Sequence, residues 1–181
     1  MTARSGRPPL ITAEQVLEAA IECADTADGL AGCTMRAVAE RLRVTPMALY
    51  RHVRDKDGLL ALMPDVLLAD VAAATARCET GLQALRAIAF GLSAVLEAHP
   101  WATRLFEQPQ SGRNMQTAAE HCIRLLVADG ASSDQAFRWI RAAVAQVIGE
   151  SLTAHGPFDP TGIELLLKGV PPAQSARDNA S

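Results

Sequence analysis

The sequence predicts an all-α fold, with a small N-terminal domain of three helices and a larger helical domain after it. Three observations predict it. Apolar residues recur at spacings of three and four, and no run of strand-like alternation has any length. Ala and Leu are abundant, while aromatic residues make up only 4% of the 181 residues. Capping residues precede several apolar runs, and Gly or Pro breaks follow several of them.

Residues 1–9, Met-Thr-Ala-Arg-Ser-Gly-Arg-Pro-Pro, are polar and carry Arg4 and Arg7. No apolar run follows these charges, so no secretory signal is read. The segment is either a disordered terminus or an arm that places Arg7 in a minor groove.

The most informative stretch is 34–56. Thr34 can cap a helix whose Val38, Ala39 and Leu42 make one apolar face. Small Ala39 lets a second helix approach closely. Thr45-Pro46 is a second start signal, because Thr caps and Pro at the first helical position gives up an N–H that is unpaired anyway. Leu49 and Val53 face inward, while Met47, Tyr50, Arg51 and Arg54 form an exposed stripe about two turns long. Asp55 caps a further helix with Lys56 at its start, where backbone N–H groups and an ammonium suit a phosphate.

The same stretch holds six Arg or Lys against two acidic residues, a local balance of about +4 in a chain of net charge −3. Two short helices joined by a tight turn, with a basic and aromatic outer face, are the layout of a helix-turn-helix DNA reader. A solvated helix pair inside a helical bundle is the competing reading.

Leu49-Tyr50-Arg51-His52-Val53, followed by Asp55-Lys56-Asp57-Gly58-Leu59-Leu60, resembles the DNA-binding domain of the tetracycline-repressor (TetR) family. Thr12 to Ala20 matches the first helix of that pattern, with Thr12 and Gln15 as a capping box. The resemblance covers residues 10 to about 70 closely. It implies a DNA-binding domain at 10–56 with its helix-turn-helix motif at 34–53. It implies that Thr45, Pro46, Met47 and Ala48 lie near bases, and that Tyr50, His52 and Lys56 hold phosphates. Arg51 and Arg36 stand where either contact is open, and His52 can instead serve local packing. Gly-Arg-Pro-Pro resembles the arms of such proteins, so Arg7 joins the expected DNA contacts.

Beyond 57 the helical pattern continues to about 170. Gly58 to about Ala76 contains Pro64, which either bends one helix or separates two. Leu82 to Ala98 is a strong helix ending at His99-Pro100-Trp101. Ala102 to Phe106 reads as a short helix, and Gln108 to Arg113 as a loop. Asn114 to Ala128 is stopped by Gly130. Ser133 or Asp134 caps a long helix to about His155, and Ile163 to Leu167 is a last short one. The tail 171–181 is polar and expected to be disordered.

The resemblance extends, more loosely, to a ligand-binding and dimerisation domain at 57–170. It implies a homodimer, with Trp139, Ala142, Ala143, Gln146, Val147 and Glu150 at the interface together with the segment around Ile163–Leu167. It also implies an unknown small-molecule effector. Met63, Phe90, Trp101, Phe106, Met115, His121, Phe137 and Arg141 are the expected pocket residues, with Leu62 and Cys122 beside them. Arg141 and His121 would be informative, since a polar group facing the interior needs a partner. Only His155 to Phe158 separate the last two helices, where many family members insert another.

No apolar stretch of roughly 18 uninterrupted residues is present, so no membrane partner is read. Cys23, Cys33, Cys78 and Cys122 are scattered without a C-x-x-C pair, which fits reduced core residues in a cytoplasmic protein. The four histidines are dispersed, and no paired carboxylates, activated nucleophile or phosphate-cradling glycine loop stands out. Neither an enzyme nor a cofactor or metal is therefore expected. The reading is a ligand-responsive repressor that binds a palindromic double-stranded operator as a homodimer.

Overall fold

Thr12 opens the first helix with a reciprocal cap. Its hydroxyl accepts the N–H of Gln15 at 3.2 Å, and the Gln15 amide oxygen accepts the N–H of Thr12 at 3.0 Å. The computed structural model describes residues 11–26, 28–106, 112–153 and 158–170. Among these every regular element is helical. The chain divides into two compact units between Met63 and Pro64.

The first unit holds α1 (Ala13–Ala24), a 3₁₀ turn (Gly29–Ala31), α2 (Met35–Arg41), α3 (Pro46–Leu49) and the start of α4 (Lys56–Leu67). Val16, Ala20, Val38, Ala39, Leu49, Leu59 and Met63 are buried. Ala39 at zero exposure fills the expected close approach between α2 and α3. Thr34 caps α2 through the N–H of Ala37 at 3.1 Å, as expected. The division falls seven residues after the expected boundary at 56, because Leu59 and Met63 on α4 are buried with the first unit.

The second unit holds the end of α4, then α5 (Ala69–Thr75), α6 (Gly81–Ala98), a 3₁₀ segment (Pro100–Leu105), α7 (Arg113–Ala128), α8 (Ser133–Thr153) and α9 (Thr161–Leu167). Helix α6 packs against α5, α7, α8 and α9. Its Leu85, Ile88, Ala89 and Leu92 are fully buried among Cys122, Leu126, Ile140, Ala143 and Val147.

Several boundaries differ from the sequence reading. Pro64 lies inside α4 and is buried, while the helical run breaks at Leu68. The cap of α8 is Ser132, not Ser133 or Asp134. The Ser132 hydroxyl accepts the Gln135 N–H at 3.2 Å, and the Gln135 amide oxygen accepts the Ser132 N–H at 2.9 Å. Arg113, expected in a loop, begins α7. Thr80 and Gln83 form an unforeseen capping box at the start of α6. The expected arm with Arg7, most of the 108–113 loop, His155 and the tail lie outside the described residues.

Two helical stretches, Lys56–Thr75 and Gly81–Ala98, are long and apolar enough to cross a membrane by length and composition. This departs from the sequence reading, which weighed uninterrupted apolar runs rather than mean hydropathy. Each stretch has one face buried in the helical core, which length and composition do not register.

Candidate nucleic-acid interface

The exposed side of the first unit is built around α3. Thr45 enters it in extended conformation and Pro46 occupies the first turn, so the missing proline N–H leaves no bond unmade. The Thr45 hydroxyl makes no capping bond, contrary to the sequence reading. Leu49 is fully buried and Val53 nearly so, which fixes the inward face. Met47 is 73% exposed and Tyr50 50% exposed, and Thr45, Pro46 and Arg51 are exposed with them. Ala48 and His52 are half-buried.

Helix α3 is one turn long, not two. After Leu49 the chain turns, with the N–H of His52 donating to the Leu49 carbonyl at 2.8 Å. Arg54 is therefore displayed from the turn and not from the helix, and it lies 3.9 Å from Asp55. Asp55 caps α4 as expected, its Oδ1 accepting the Gly58 N–H at 2.7 Å.

Two other expected contacts are engaged within the unit. Arg36 donates to Glu40 at 2.8 Å one helical turn away, and this bond raises its already high pKa. The Lys56 ammonium donates to the Leu30 carbonyl at 2.8 Å, with two further donors left for another acceptor. Arg41 pairs with Glu22 on α1.

The turn before α3 holds a residue that the sequence reading passed over. Arg43 has φ 56, the one non-glycine residue with positive φ among the described residues. Its N–H donates to the Glu40 carbonyl at 3.1 Å, and the N–H of Val44 donates to the Ala39 carbonyl at 3.0 Å. These two bonds close α2 with a Schellman motif, whose left-handed position glycine normally fills. A bulkier residue there costs on the order of 1 kcal/mol.

The expected pocket residues differ in exposure. Phe90, Trp101, Phe106 and Met115 pack half-buried against the core of the second unit. Met63 belongs to the first unit, and Leu62 is 45% exposed. Phe137 is 54% exposed on α8, and Arg141 is exposed on the same helix. His121 is half-buried, with Nε2 3.2 Å from the Cys78 carbonyl and Nδ1 3.0 Å from Arg124. Arg86, missed earlier, pairs with Glu164, lies 5.9 Å over the Phe90 ring, and buries its Nε without an acceptor. A single arginine inside the apolar 82–96 run was the available signal.

On α8, Ala143 and Val147 are fully buried within the chain's own core, so an interface cannot rest on their side chains. Ala142 is exposed, Trp139 is half-buried, and half-buried Gln146 donates to Glu150 at 3.1 Å. Ala145, Gly149 and Leu152 are exposed along the outer side of α8. Burial pushes the thiol of Cys122 up to about 12, and raises those of Cys23, Cys33 and Cys78 as well. No group of three or more His, Cys, Asp or Glu side chains could hold a metal ion among the described residues.

Residues 16–63 match the family described as bacterial regulatory proteins, tetR family. An HTH-type transcriptional repressor of Streptomyces coeruleorubidus is 34% identical over 123 residues, 67% of this chain and 45% of that protein. The chain spans about half the length of the curated relatives it matches. A TetR variant from Acinetobacter baumannii AYE, solved with minocycline, superposes with a TM-score of 0.68 at 27% identity, covering 78% of this chain and 75% of that one. BioQ, solved with its natural double-stranded DNA operator, gives a TM-score of 0.65 at 26% identity, covering 88% of this chain and 98% of that one. The curated relatives are named as regulators and not as enzymes. With the helix-turn-helix match in the first unit and the shared fold over both, the chain belongs to the TetR family of bacterial regulatory proteins.

Proposed function

We propose that this protein is a cytoplasmic transcriptional regulator of the repressor type, which reads duplex DNA through the exposed side of α3. The observation that carries this is the display of Met47, Tyr50 and Arg51 in solvent over a buried Leu49. A thioether, a phenol and a guanidinium with no role in the core are suited to base edges, thymine methyls and phosphates. The operator complex of BioQ supports the same use of the fold.

The regulator acts as a homodimer on a palindromic operator, since one short recognition helix reaches only a few base pairs. The exposed outer side of α8, with Ala142, Ala145, Gly149 and Leu152, is the face suited to the twofold contact. Small residues there allow two helices to approach closely. A small molecule held in the second unit releases the DNA, a reading supported by the minocycline complex of the related TetR variant. It must bind the DNA-competent and released states unequally to do so.

Fluorescence anisotropy with the protein's own upstream duplex and a scrambled duplex, across a salt series, tests the proposal. Tight, salt-steep and selective binding is expected. No binding to either duplex at low salt overturns it.

A further inference from the structure

We propose that Arg43 is a phosphate-binding residue of the DNA interface, held ready by a strained turn. The inference rests on the DNA-reading proposal above and adds a contact to it.

The same helix-closing motif occurs twice among the described residues. At the end of α7 the N–H of Gly130 donates to the Val127 carbonyl at 3.0 Å, and the N–H of Ala131 donates to the Leu126 carbonyl at 3.0 Å. There the left-handed position is Gly130, with φ 102. At the end of α2 the bonding is the same, but Arg43 takes the position with φ 56. The backbone of α2 closes with no help from that side chain. A glycine would therefore serve the turn at lower conformational cost, as it does after α7.

The arginine side chain has no compensating role within the fold. Arg43 is exposed, and no ion pair or side-chain hydrogen bond holds it among the described residues. The nearby Arg36 and Arg41 both engage carboxylates, so Arg43 is the uncompensated guanidinium of this turn. It stands two residues before Thr45, where the exposed side of α3 begins. In helix-turn-helix docking the first helix crosses the backbone while the second enters the groove, which leaves the turn between them beside phosphates. A free guanidinium at that turn matches a phosphate in charge and geometry.

The test uses the full chain, its upstream duplex, and the variants Arg43→Gly, Arg43→Gln and Arg43→Lys. Arg43→Gly relieves the turn, so its melting temperature is expected to equal or exceed the wild type. Its DNA affinity is expected to fall about 3- to 10-fold, equally on upstream and scrambled duplexes. The slope of log affinity against log salt should become shallower by about 0.9 for each chain in contact. Arg43→Gln should show the same loss, and Arg43→Lys should keep the wild-type slope. Wild-type affinity and slope in Arg43→Gly would overturn the inference while leaving the DNA-reading proposal intact. So would a loss confined to one operator base pair with the slope unchanged. Failure of the wild-type protein to bind either duplex would remove both readings together.

Discussion

Asn114 holds Asp65 at two points. Its backbone N–H donates to Asp65 Oδ1 at 2.6 Å, and its side-chain amide donates to the Asp65 carbonyl at 2.7 Å. The pair fastens the first turn of α7 to the end of α4. Gly112 permits the approach, since a Cβ there would stand 2.7 Å from Asp65 Oδ1. Asp65→Ala removes the acceptor for the opening N–H of α7, and a loss of about 1 kcal/mol or more is expected. Gly112→Ala should cost a similar amount by collision. Urea unfolding monitored by circular dichroism measures both, and unchanged midpoints would show that the fastening contributes nothing.

A second close contact lies at the start of α6. The Gly81 N–H donates to the buried carboxylate of Asp129 at 2.7 Å. A Cβ on Gly81 would stand 2.7 Å from the Leu126 Cα, a backbone atom that cannot swing away. Gly81→Ala is expected to destabilise the protein by about 1–3 kcal/mol through overpacking. Asp129→Ala leaves a buried N–H without its acceptor and should cost a similar amount. Denaturant titration of the two variants checks this.

The two sides of α3 predict opposite phenotypes. Leu49→Ala empties a fully buried site and should cost about 2–5 kcal/mol of stability. Tyr50→Ala and Arg51→Ala remove exposed groups, so their unfolding midpoints should stay within about 0.5 kcal/mol of the wild type. Their affinity for the upstream duplex should fall about 5- to 100-fold. Unchanged affinity in both variants would remove α3 from the DNA interface.

Gly149 isolates the role of the outer α8 face. A Cβ at this position would meet nothing within 4 Å in the chain itself. Gly149→Leu should therefore leave the folded chain intact while blocking close approach by a second copy. Sedimentation velocity is expected to show a dimer for the wild type and a shift toward monomer for the variant. An unchanged dimer would move the interface elsewhere.

The periodic features were legible in sequence for a clear reason. Val38, Ala39, Leu49 and Val53 are buried because their spacing leaves them no other face, and spacing is visible in a linear chain. The caps at Thr12, Thr34 and Asp55 were legible too, because each acts within three residues. The facing of α8 was not legible, because it is set by contacts distant in sequence. Phe137 and Arg141 reach solvent because Ala136, Ile140, Ala143 and Val147 take the inward side of α8. That choice depends on where α6 lies, and Ala143 and Val147 accordingly pack at home. Arg43 was missed because its signal is a backbone angle at a position where composition shows only another basic residue.

The central claim is that residues 43–54 meet DNA, and amide hydrogen exchange tests it most directly. The protein is measured free, with its upstream duplex, and with a scrambled duplex at the same concentration. Exchange slowed by the upstream duplex and concentrated in 43–54, with little change from the scrambled duplex at moderate salt, is the predicted result. Saturating binding to the upstream duplex with no slowing in 43–54 would contradict it.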